Sequence, residues 1–154
     1  DYGTVLNRFL MQAVIGYPLT VHGSGGQTRA FIHIKDTVKC LEIALNNPPN
    51  KNDRVEIFNQ MTETHTVKNL AEIVSKQTGA KIAYIQNPRN EAAENELYVE
   101  NNKFLGHGLN PITLNDGLVS EIIDIARKYS NNCNLEKIPC ISYWNKKQAE
   151  GATH

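Results

Sequence analysis

Apolar residues recur every three or four positions in several stretches of the chain, a spacing that predicts amphipathic helices. The first stretch runs from Val5 to Val14, and Gly16 and Pro18 follow it in the order that usually ends a helix. The clearest helix is predicted to begin after Thr66, which is a good N-cap residue, and to end at Gly79. Its apolar stripe consists of Val67, Leu70, Ala71, Ile73 and Val74.

A helix over residues 38–45 is apolar around more than half of its circumference, which predicts that it is largely buried against a sheet. Asp36 is its expected N-cap, and the Asn-Asn-Pro-Pro sequence at 46–49 ends it. The last predicted helix begins at Asn115 as its N-cap and carries its apolar residues on one side. These residues are Leu118, Ile122, Ile125, Ala126 and Tyr129.

Short β-rich runs alternate with the helices. Residues 19–22 and 29–34 are predicted strands, and the glycine-rich link between them suggests that the two strands are neighbours. Residues 55–59 have a continuous apolar centre and residues 81–85 alternate, so both are also predicted to be strands. Helices and strands in this order are typical of an α/β fold.

The composition is that of an ordinary globular domain. A chain of 154 residues with 40% apolar side chains is long enough for one domain with its own core. The 16 basic and 16 acidic residues cancel, which removes the charge expected of a protein that binds nucleic acid or an anionic membrane. No apolar run reaches the ~18 residues of a membrane span, and the first residues show no signal-peptide pattern. The absence of an initiating Met suggests a piece of a longer protein.

The three cysteines, Cys40, Cys133 and Cys140, are an odd number at spacings that match no zinc site. Free thiols in a reducing compartment are therefore expected. The five histidines are scattered and none lies in an H-x-x-x-H pair, so no metal site is expected.

Residues 23–29, Gly-Ser-Gly-Gly-Gln-Thr-Arg, are the first candidate for chemistry. The segment is not a P-loop, because no lysine follows, and Thr28 stands where G-x-G-x-x-G would have its third glycine. On residue types alone, one interpretation is a flexible turn between strands. The other is a backbone that approaches a ligand closely while Arg29 binds a phosphate.

The second candidate is Arg89, which follows Pro88 and precedes Glu91 and Glu94. An arginine just past a strand end can pair with a phosphate, and a carboxylate beside it can accept ribose hydroxyls. The alternative is a solvated loop with an Arg–Glu surface pair worth under ~1 kcal/mol. No nucleophile elbow or Cys–His arrangement is present, so the residues alone predict anion binding and no reaction centre.

Taken in order, the motifs resemble the second half of the extended short-chain dehydrogenases/reductases that act on nucleotide sugars, the NAD-dependent epimerase/dehydratase family. The likeness runs from residue 1 to about residue 147. The segments that carry it are 1–9, 16–23, 25–36, 58–63, 87–91, 102–111 and 138–144.

The resemblance implies an α/β fold in which this chain is the carboxyl-terminal substrate-binding lobe together with the last part of a Rossmann sheet. The amino-terminal Rossmann half is then missing. In the family that half carries the glycine-rich NAD loop and the Thr–Tyr–Lys catalytic set, so NAD is expected to be bound mainly outside this chain. The chain alone is expected to be inactive. The helix over residues 38–45 is expected to leave apolar surface exposed, because part of the sheet that it packs on is absent. Residues 1–130 become the nucleotide-sugar-binding C-terminal region and residues 131–154 an irregular C-terminal tail.

The resemblance also implies roles for individual residues, none of them catalytic. Arg29 and Arg89 become the partners of the diphosphate, which favours the ligand-binding interpretation of both segments. Position 22 more often holds an aromatic residue in the family. The other implied substrate-binding positions are Asn7 and Gln27 near the nucleotide, Thr20 and His22 along the uracil, and Glu91 at the ribose.

Within the family, these sequence motifs are most similar to those of an enzyme that makes the sulfonated UDP-glucose used for sulfolipid head groups. In that reaction NAD oxidises the glucose 4-hydroxyl, water is lost across C5 and C6, sulfite adds at C6, and hydride returns to C4. Two alternatives stay open. One is another NAD-dependent nucleotide-sugar epimerase or dehydratase, because His33 is common in related epimerases. The other is a nucleotide-binding module without catalysis.

The expected partner is UDP-glucose or a related nucleotide sugar, with no nucleic acid and no membrane partner. The full-length enzyme is expected to be a homodimer, because relatives dimerise through helices of the other half. A cytoplasmic location is expected, or the plastid stroma in a photosynthetic eukaryote.

Overall fold

The computed structural model describes residues 4–87, 94–95 and 97–137. The chain divides into two compact units. Unit 1 consists of residues 1–27, 66–95 and 119–154, and unit 2 consists of residues 28–65 and 96–118. The tail at 138–154 lies outside the described residues.

Helices and strands alternate along the chain as the sequence predicts for an α/β protein. The helices are α1 (Val5–Val14), α2 (Ile34–Asn46), α3 (Val67–Thr78), α4 (Asn102–Gly106) and α5 (Leu118–Tyr129). The strands are β1 (Leu19–His22), β2 (Gly26–Phe31), β3 (Glu63–Thr66), β4 (Ile82–Ile85) and β5 (Glu94–Asn95). β1 pairs in parallel with β4, whereas β2 lies between β3 and β5 and is parallel to β5.

The core of unit 1 is formed where α1 and α3 pack on β1 and on each other. α3 begins and ends as the sequence predicts: the Thr66 hydroxyl accepts a hydrogen bond from the Asn69 amide, and Gly79 adopts φ +73° after the last turn. Each buried aliphatic side chain here stabilises the fold by roughly 1.5–3 kcal/mol. The fully buried side chains are Phe9, Leu10, Leu19, Val21, Leu70, Ala71 and Val74.

The core of unit 2 is smaller and is centred on Cys40, Phe104 and Leu109. Phe58 packs against this cluster, with its ring centroid 4.9 Å from that of Phe104. Burial, and after it the nearby Asp36 carboxylate, raises the pKa of the Cys40 thiol. This cysteine is therefore a neutral, apolar member of the core.

The N-cap of α2 is His33, not Asp36 as the sequence predicts. The His33 Nδ1 atom accepts a hydrogen bond from the Lys35 amide at 3.0 Å. Asp36 lies one turn later and is fully buried, with its Oδ2 atom accepting from the Ile112 amide at 2.6 Å and its Oδ1 atom 3.2 Å from Lys39 Nζ. A buried carboxylate needs such charge-assisted bonds, and the partner at 112 is invisible to a local capping rule.

α2 is not largely buried among the described residues, and it leaves apolar surface exposed, as the expected absence of part of its sheet predicts. Cys40 is fully buried, but Leu41 is 54% exposed and Leu45 80% exposed. Nothing among the described residues covers the second apolar side of the helix, so burial stops at the side that faces Phe104.

Three predictions about local structure are also wrong. Residues 55–59 form no strand, because no described segment pairs with them. β1 and β2 lie in different sheets and are not neighbours. Thr113, not Asn115, begins the last helical region by capping a short 3₁₀ turn at Leu114–Asp116, ahead of α5.

Candidate functional site

The parallel pairing of β1 with β4 brings the segments that follow these two strands to the same end of unit 1. The register runs from Leu19 opposite Ile82 to His22 opposite Ile85, and the Gly23 amide donates to the Ile85 carbonyl at 2.8 Å. A Cβ atom placed on Gly23 would lie 3.7 Å from the Cβ atom of Asn87. The glycine segment and the residue that precedes Pro88 are therefore in contact.

The second parallel pairing, of β2 with β5, places residues 94–95 beside the same glycine segment. Glu94 lies opposite Gly26 and Asn95 opposite Gln27. The described residues on either side of segment 88–93, Asn87 and Glu94, therefore lie beside Gly23 and Gly26. Arg89 and Glu91 belong to this segment and lie outside the described residues, so their roles stay predictions.

Gly25 is packed closely against neighbouring residues of this chain. It is buried at φ +71°, its carbonyl accepts from the Lys68 amide at 2.9 Å, and an added Cβ would lie 2.7 Å from Val21 Cγ1 and 3.0 Å from the Lys68 amide nitrogen. Only glycine fits this backbone and this space. The segment is thus a fixed turn on the N-terminus of α3, and Ser24 lies on its exposed side.

The polar groups of Thr20 are bonded to α1. Its hydroxyl accepts from Gln12 Nε2 at 2.8 Å, its amide donates to Gln12 Oε1 at 3.1 Å, and its carbonyl accepts from Arg8 Nη2 at 3.0 Å. These bonds satisfy the backbone groups of Thr20 on the edge of β1 that faces away from β4. His22 is half-buried at the end of the same strand, where its carbonyl accepts from the Gly25 amide at 3.3 Å.

Gln27 and Arg29 are two residues apart on β2, so they share one face of that strand. Gln27 is buried and Arg29 is half-buried, with Arg29 Nη1 donating to the Thr28 carbonyl at 3.0 Å. The boundary between the two units falls between Gln27 and Thr28. Asn7 lies on the exposed side of α1, directly before Arg8.

The sequence interpretation missed Arg8, Gln12 and Lys68. Arg8 and Gln12 position Thr20, and Lys68 contacts Gly25. The signal for Gln12 was available, because it follows Val5 and Phe9 at helical spacing and so places an amide on an apolar stripe. A polar residue on such a stripe indicates a buried hydrogen-bond partner, and Gln12 is only 1% exposed.

Two classes of site have no candidate among the described residues. No three His, Cys, Asp or Glu side chains in 4–87, 94–95 and 97–137 come together as metal ligands would. Within the same ranges, no helix has the length and apolar character to span a membrane.

Comparison with known proteins matches residues 1–59 to the model of the NAD dependent epimerase/dehydratase family. The chloroplastic UDP-sulfoquinovose synthase of Spinacia oleracea is 40% identical over 152 residues, which are 94% of this chain and 31% of that protein. The UDP-sulfoquinovose synthase of Sulfolobus acidocaldarius is 43% identical over 98 residues, 60% of this chain and 25% of that protein. The chain thus spans a third or less of these curated relatives, and the resemblance drawn from its sequence is confirmed.

A solved structure with a similar fold is a mutant of UDP-glucuronic acid 4-epimerase from Bacillus cereus, in complex with a fluorinated UDP-glucuronic acid and NAD. It aligns with a TM-score of 0.64 at 24% identity and covers 82% of this chain and 40% of the epimerase chain. This likeness confirms the α/β fold class, with part of a Rossmann-like sheet.

Proposed function

Because residues 1–59 belong to the NAD-dependent epimerase/dehydratase family, we propose that this chain is the UDP-sugar-binding part of a UDP-sulfoquinovose synthase-like enzyme. The whole enzyme would convert UDP-glucose and sulfite to UDP-sulfoquinovose with NAD, for sulfolipid head groups. The chain's part is to hold the nucleotide sugar.

The observation that carries the proposal is the pairing at the ends of β1 and β2. Asn87 lies against Gly23 and Glu94 lies opposite Gly26, so the described residues on both sides of the predicted diphosphate segment lie beside the glycine segment. Arg29 follows Gly26 by three residues on β2.

Two arginines suit a diphosphate because each guanidinium presents a planar fork of donors to phosphate oxygens. A hydrogen bond to a charged group contributes about 1.5–3 kcal/mol. Such binding energy, far from the reacting carbons, fixes the hexose in position and lowers the barrier of the chemical step.

The remaining assignments are those that the resemblance implies. His22 lines the uracil through the backbone at the end of β1. Thr20, whose amide and carbonyl bond Gln12 and Arg8, holds this strand in position beside it. Gln27 and Asn7 lie near the nucleotide, and Glu91 binds the ribose.

NAD would be held elsewhere in the whole enzyme. Its chemistry there is to take and return hydride. The glycine segment of this chain does not suit its diphosphate, because the third glycine position is Thr28 and the space above Gly25 is filled by Val21 and Lys68. No described residue is assigned to the cofactor.

The test is titration of the purified chain with UDP-glucose by calorimetry, with Arg29→Ala as the variant. Loss of one charge-assisted contact should weaken binding about 10- to 150-fold. Arg127→Ala is the matched control, because Arg127 is exposed on α5 and its ion-pair partner among the described residues is the exposed Asp124, one helical turn away. Equal affinity of the two variants would contradict the assignment of Arg29.

A second candidate is an epimerase or dehydratase that acts on another nucleotide sugar. His33, here the buried N-cap of α2, is the residue that favours it, and a UDP-glucuronic acid 4-epimerase has a similar fold. Titration with UDP-glucuronic acid separates the two, since a preference for the sugar carboxylate favours the second. Binding of UDP alone, with no gain from either sugar, would instead indicate a nucleotide-binding module.

A homodimer of the whole enzyme, in the cytoplasm or plastid stroma, completes the proposal. Sedimentation of the whole enzyme would test its assembly.

A further inference from the structure

We propose that Gln12 is a positioning residue of the nucleotide site, and that its buried amide fixes the backbone edge of β1 on which selectivity for uracil depends. The inference rests on the proposed function. It adds to the site a residue of α1 that acts through β1 and not by contact with the ligand.

The two edges of β1 have different partners. The amides of Leu19 and Gly23 donate to the Lys81 and Ile85 carbonyls on the β4 side, each at 2.8 Å. Backbone groups of alternate residues in a strand point to the same edge, so those of Thr20 and His22 lie on the other edge. The bonds of Thr20 to α1 occupy the first part of that edge. His22 is the next residue along it, directly before the glycine segment.

Gln12 binds Thr20 with both ends of its side-chain amide. Its Nε2 atom donates to the Thr20 hydroxyl at 2.8 Å, and its Oε1 atom accepts from the Thr20 amide at 3.1 Å. Gln12 is 1% exposed and Thr20 7% exposed, so water does not compete for these bonds. At this point of the edge, the side chain takes the place that the peptide group of a neighbouring strand would have.

A buried amide does more here than fill space. An apolar side chain at position 12 would complete the stripe of α1 but would leave the Thr20 amide and hydroxyl without a partner in the interior. The two bonds of the amide form in one arrangement of helix and strand, so they favour that arrangement over others that pack equally well. Gln12 therefore fixes where the edge of β1 continues towards His22.

Selectivity for uracil needs such a fixed edge. Uracil presents a donor at N3 and an acceptor at O4, whereas cytosine presents an acceptor and a donor at the same two positions. A backbone edge distinguishes these bases only if its N–H and C=O groups keep their positions relative to the base. A shift of β1 along α1 should therefore reduce selectivity as well as affinity.

The measurement is calorimetric titration with UDP-glucose, with CDP-glucose measured by competition. Gln12→Met, which keeps the length of the side chain but forms neither bond, should weaken UDP-glucose binding about three- to tenfold and CDP-glucose binding less. Thr20→Val removes only the hydroxyl bond, so it should shift the preference in the same direction by a smaller factor. It provides the test if Gln12→Met does not fold. Gln12→Glu keeps an acceptor for the Thr20 amide and should keep most of the preference.

Ser75→Ala is the matched control. The Ser75 hydroxyl donates to the Ala80 carbonyl at 2.8 Å within unit 1, near the end of α3 that lies away from the glycine segment. Its loss should lower the thermal stability of the chain but leave the preference for UDP-glucose unchanged. Thermal unfolding of every variant separates a loss of stability from a loss of selectivity.

A Gln12→Met variant that binds both nucleotide sugars more weakly by the same factor, as a general loss of structure would cause, contradicts the positioning role. An unaltered chain without preference for UDP-glucose over CDP-glucose contradicts it too. In both cases, weaker UDP-glucose binding by Arg29→Ala leaves the proposed function standing. If Arg29→Ala has no effect, the proposed function fails as well.

Discussion

The two units of this chain use helices of similar apolar character in different ways. In unit 1, α3 presents one apolar stripe and buries most of it, with Leu70, Ala71 and Val74 at 0% exposure and Ile73 half-buried. In unit 2, α2 buries Cys40 but leaves Leu41 and Leu45 more than half exposed. The difference is not one of helix formation, since both helices form where periodicity predicts them.

The geometry of α2 explains the contrast. At 3.6 residues per turn, its exposed apolar side chains fall within about 60° of one another, and its buried ones lie about half a turn away. The exposed side consists of Ile34, Val38, Leu41 and Leu45, and the buried side of Asp36, Cys40 and Ile43. A helix that is apolar on opposite sides is suited to burial between two layers. Only one of those layers is found among the described residues.

The largest expected effect tests the comparison directly, by making the same substitution in each helix. Leu70→Ala, at a fully buried site of α3, should lower the free energy of unfolding by about 2–5 kcal/mol through lost burial and a cavity. Leu41→Ala, at the 54% exposed site of α2, should change it by less than about 0.5 kcal/mol. Urea denaturation of both variants measures the difference. Equal losses would mean that the outer side of α2 is covered in solution.

A second prediction concerns the exposed side of α2 itself. The double variant Leu41→Glu and Leu45→Glu should reduce the binding of a hydrophobic dye to the native chain, because it removes two of the four side chains of an exposed apolar patch. Its stability should stay within about 0.5 kcal/mol of the original, because both side chains are exposed.

The matched control for this experiment is Glu42→Gln, which changes charge on the same helix without touching the apolar side. Dye fluorescence and urea denaturation are measured on the same samples. Unchanged dye binding in the double variant would show that the outer side of α2 is not the accessible surface.

Local rules predicted where helices begin and end far better than which distant residues they contact. The bounds of α1 and α3, with Thr66 and Gly79 at the ends of α3, follow from spacing and capping within a few residues. The partner of Asp36 is 76 residues away, so its role could not be read from the sequence near α2. Residues 55–59 have the composition of a strand but lack the second strand that would make them one.

The candidate site shows the same limit. Residue types and family likeness indicated Gln27 and Arg29, and the structure places both on one face of β2. Arg8 and Lys68 were missed because their importance lies in contacts with Thr20 and Gly25, each far along the chain. Parallel pairing decides which loops meet, and periodicity within one segment does not contain that information.

The smallest expected effect is a pH dependence in unit 2. The Thr113 hydroxyl donates to Asp116 Oδ2 at 2.7 Å and the Thr113 amide donates to the same oxygen at 3.3 Å. These bonds, the side-chain one first, lower the pKa of Asp116 below its ordinary value. A lowered folded-state pKa stabilises the fold at pH values above the unfolded pKa, and this stabilisation is lost as the pH falls through the folded pKa.

Thr113→Val should therefore lower stability at neutral pH and flatten the loss of stability between about pH 5 and pH 2. Thr37→Val is the control, because the Thr37 hydroxyl donates to the His33 carbonyl and to no carboxylate. Its effect on stability should be the same at every pH in this window. Thermal unfolding across the pH series distinguishes the two variants. Parallel curves for both would mean that the Asp116 carboxylate contributes no pH dependence to unit 2.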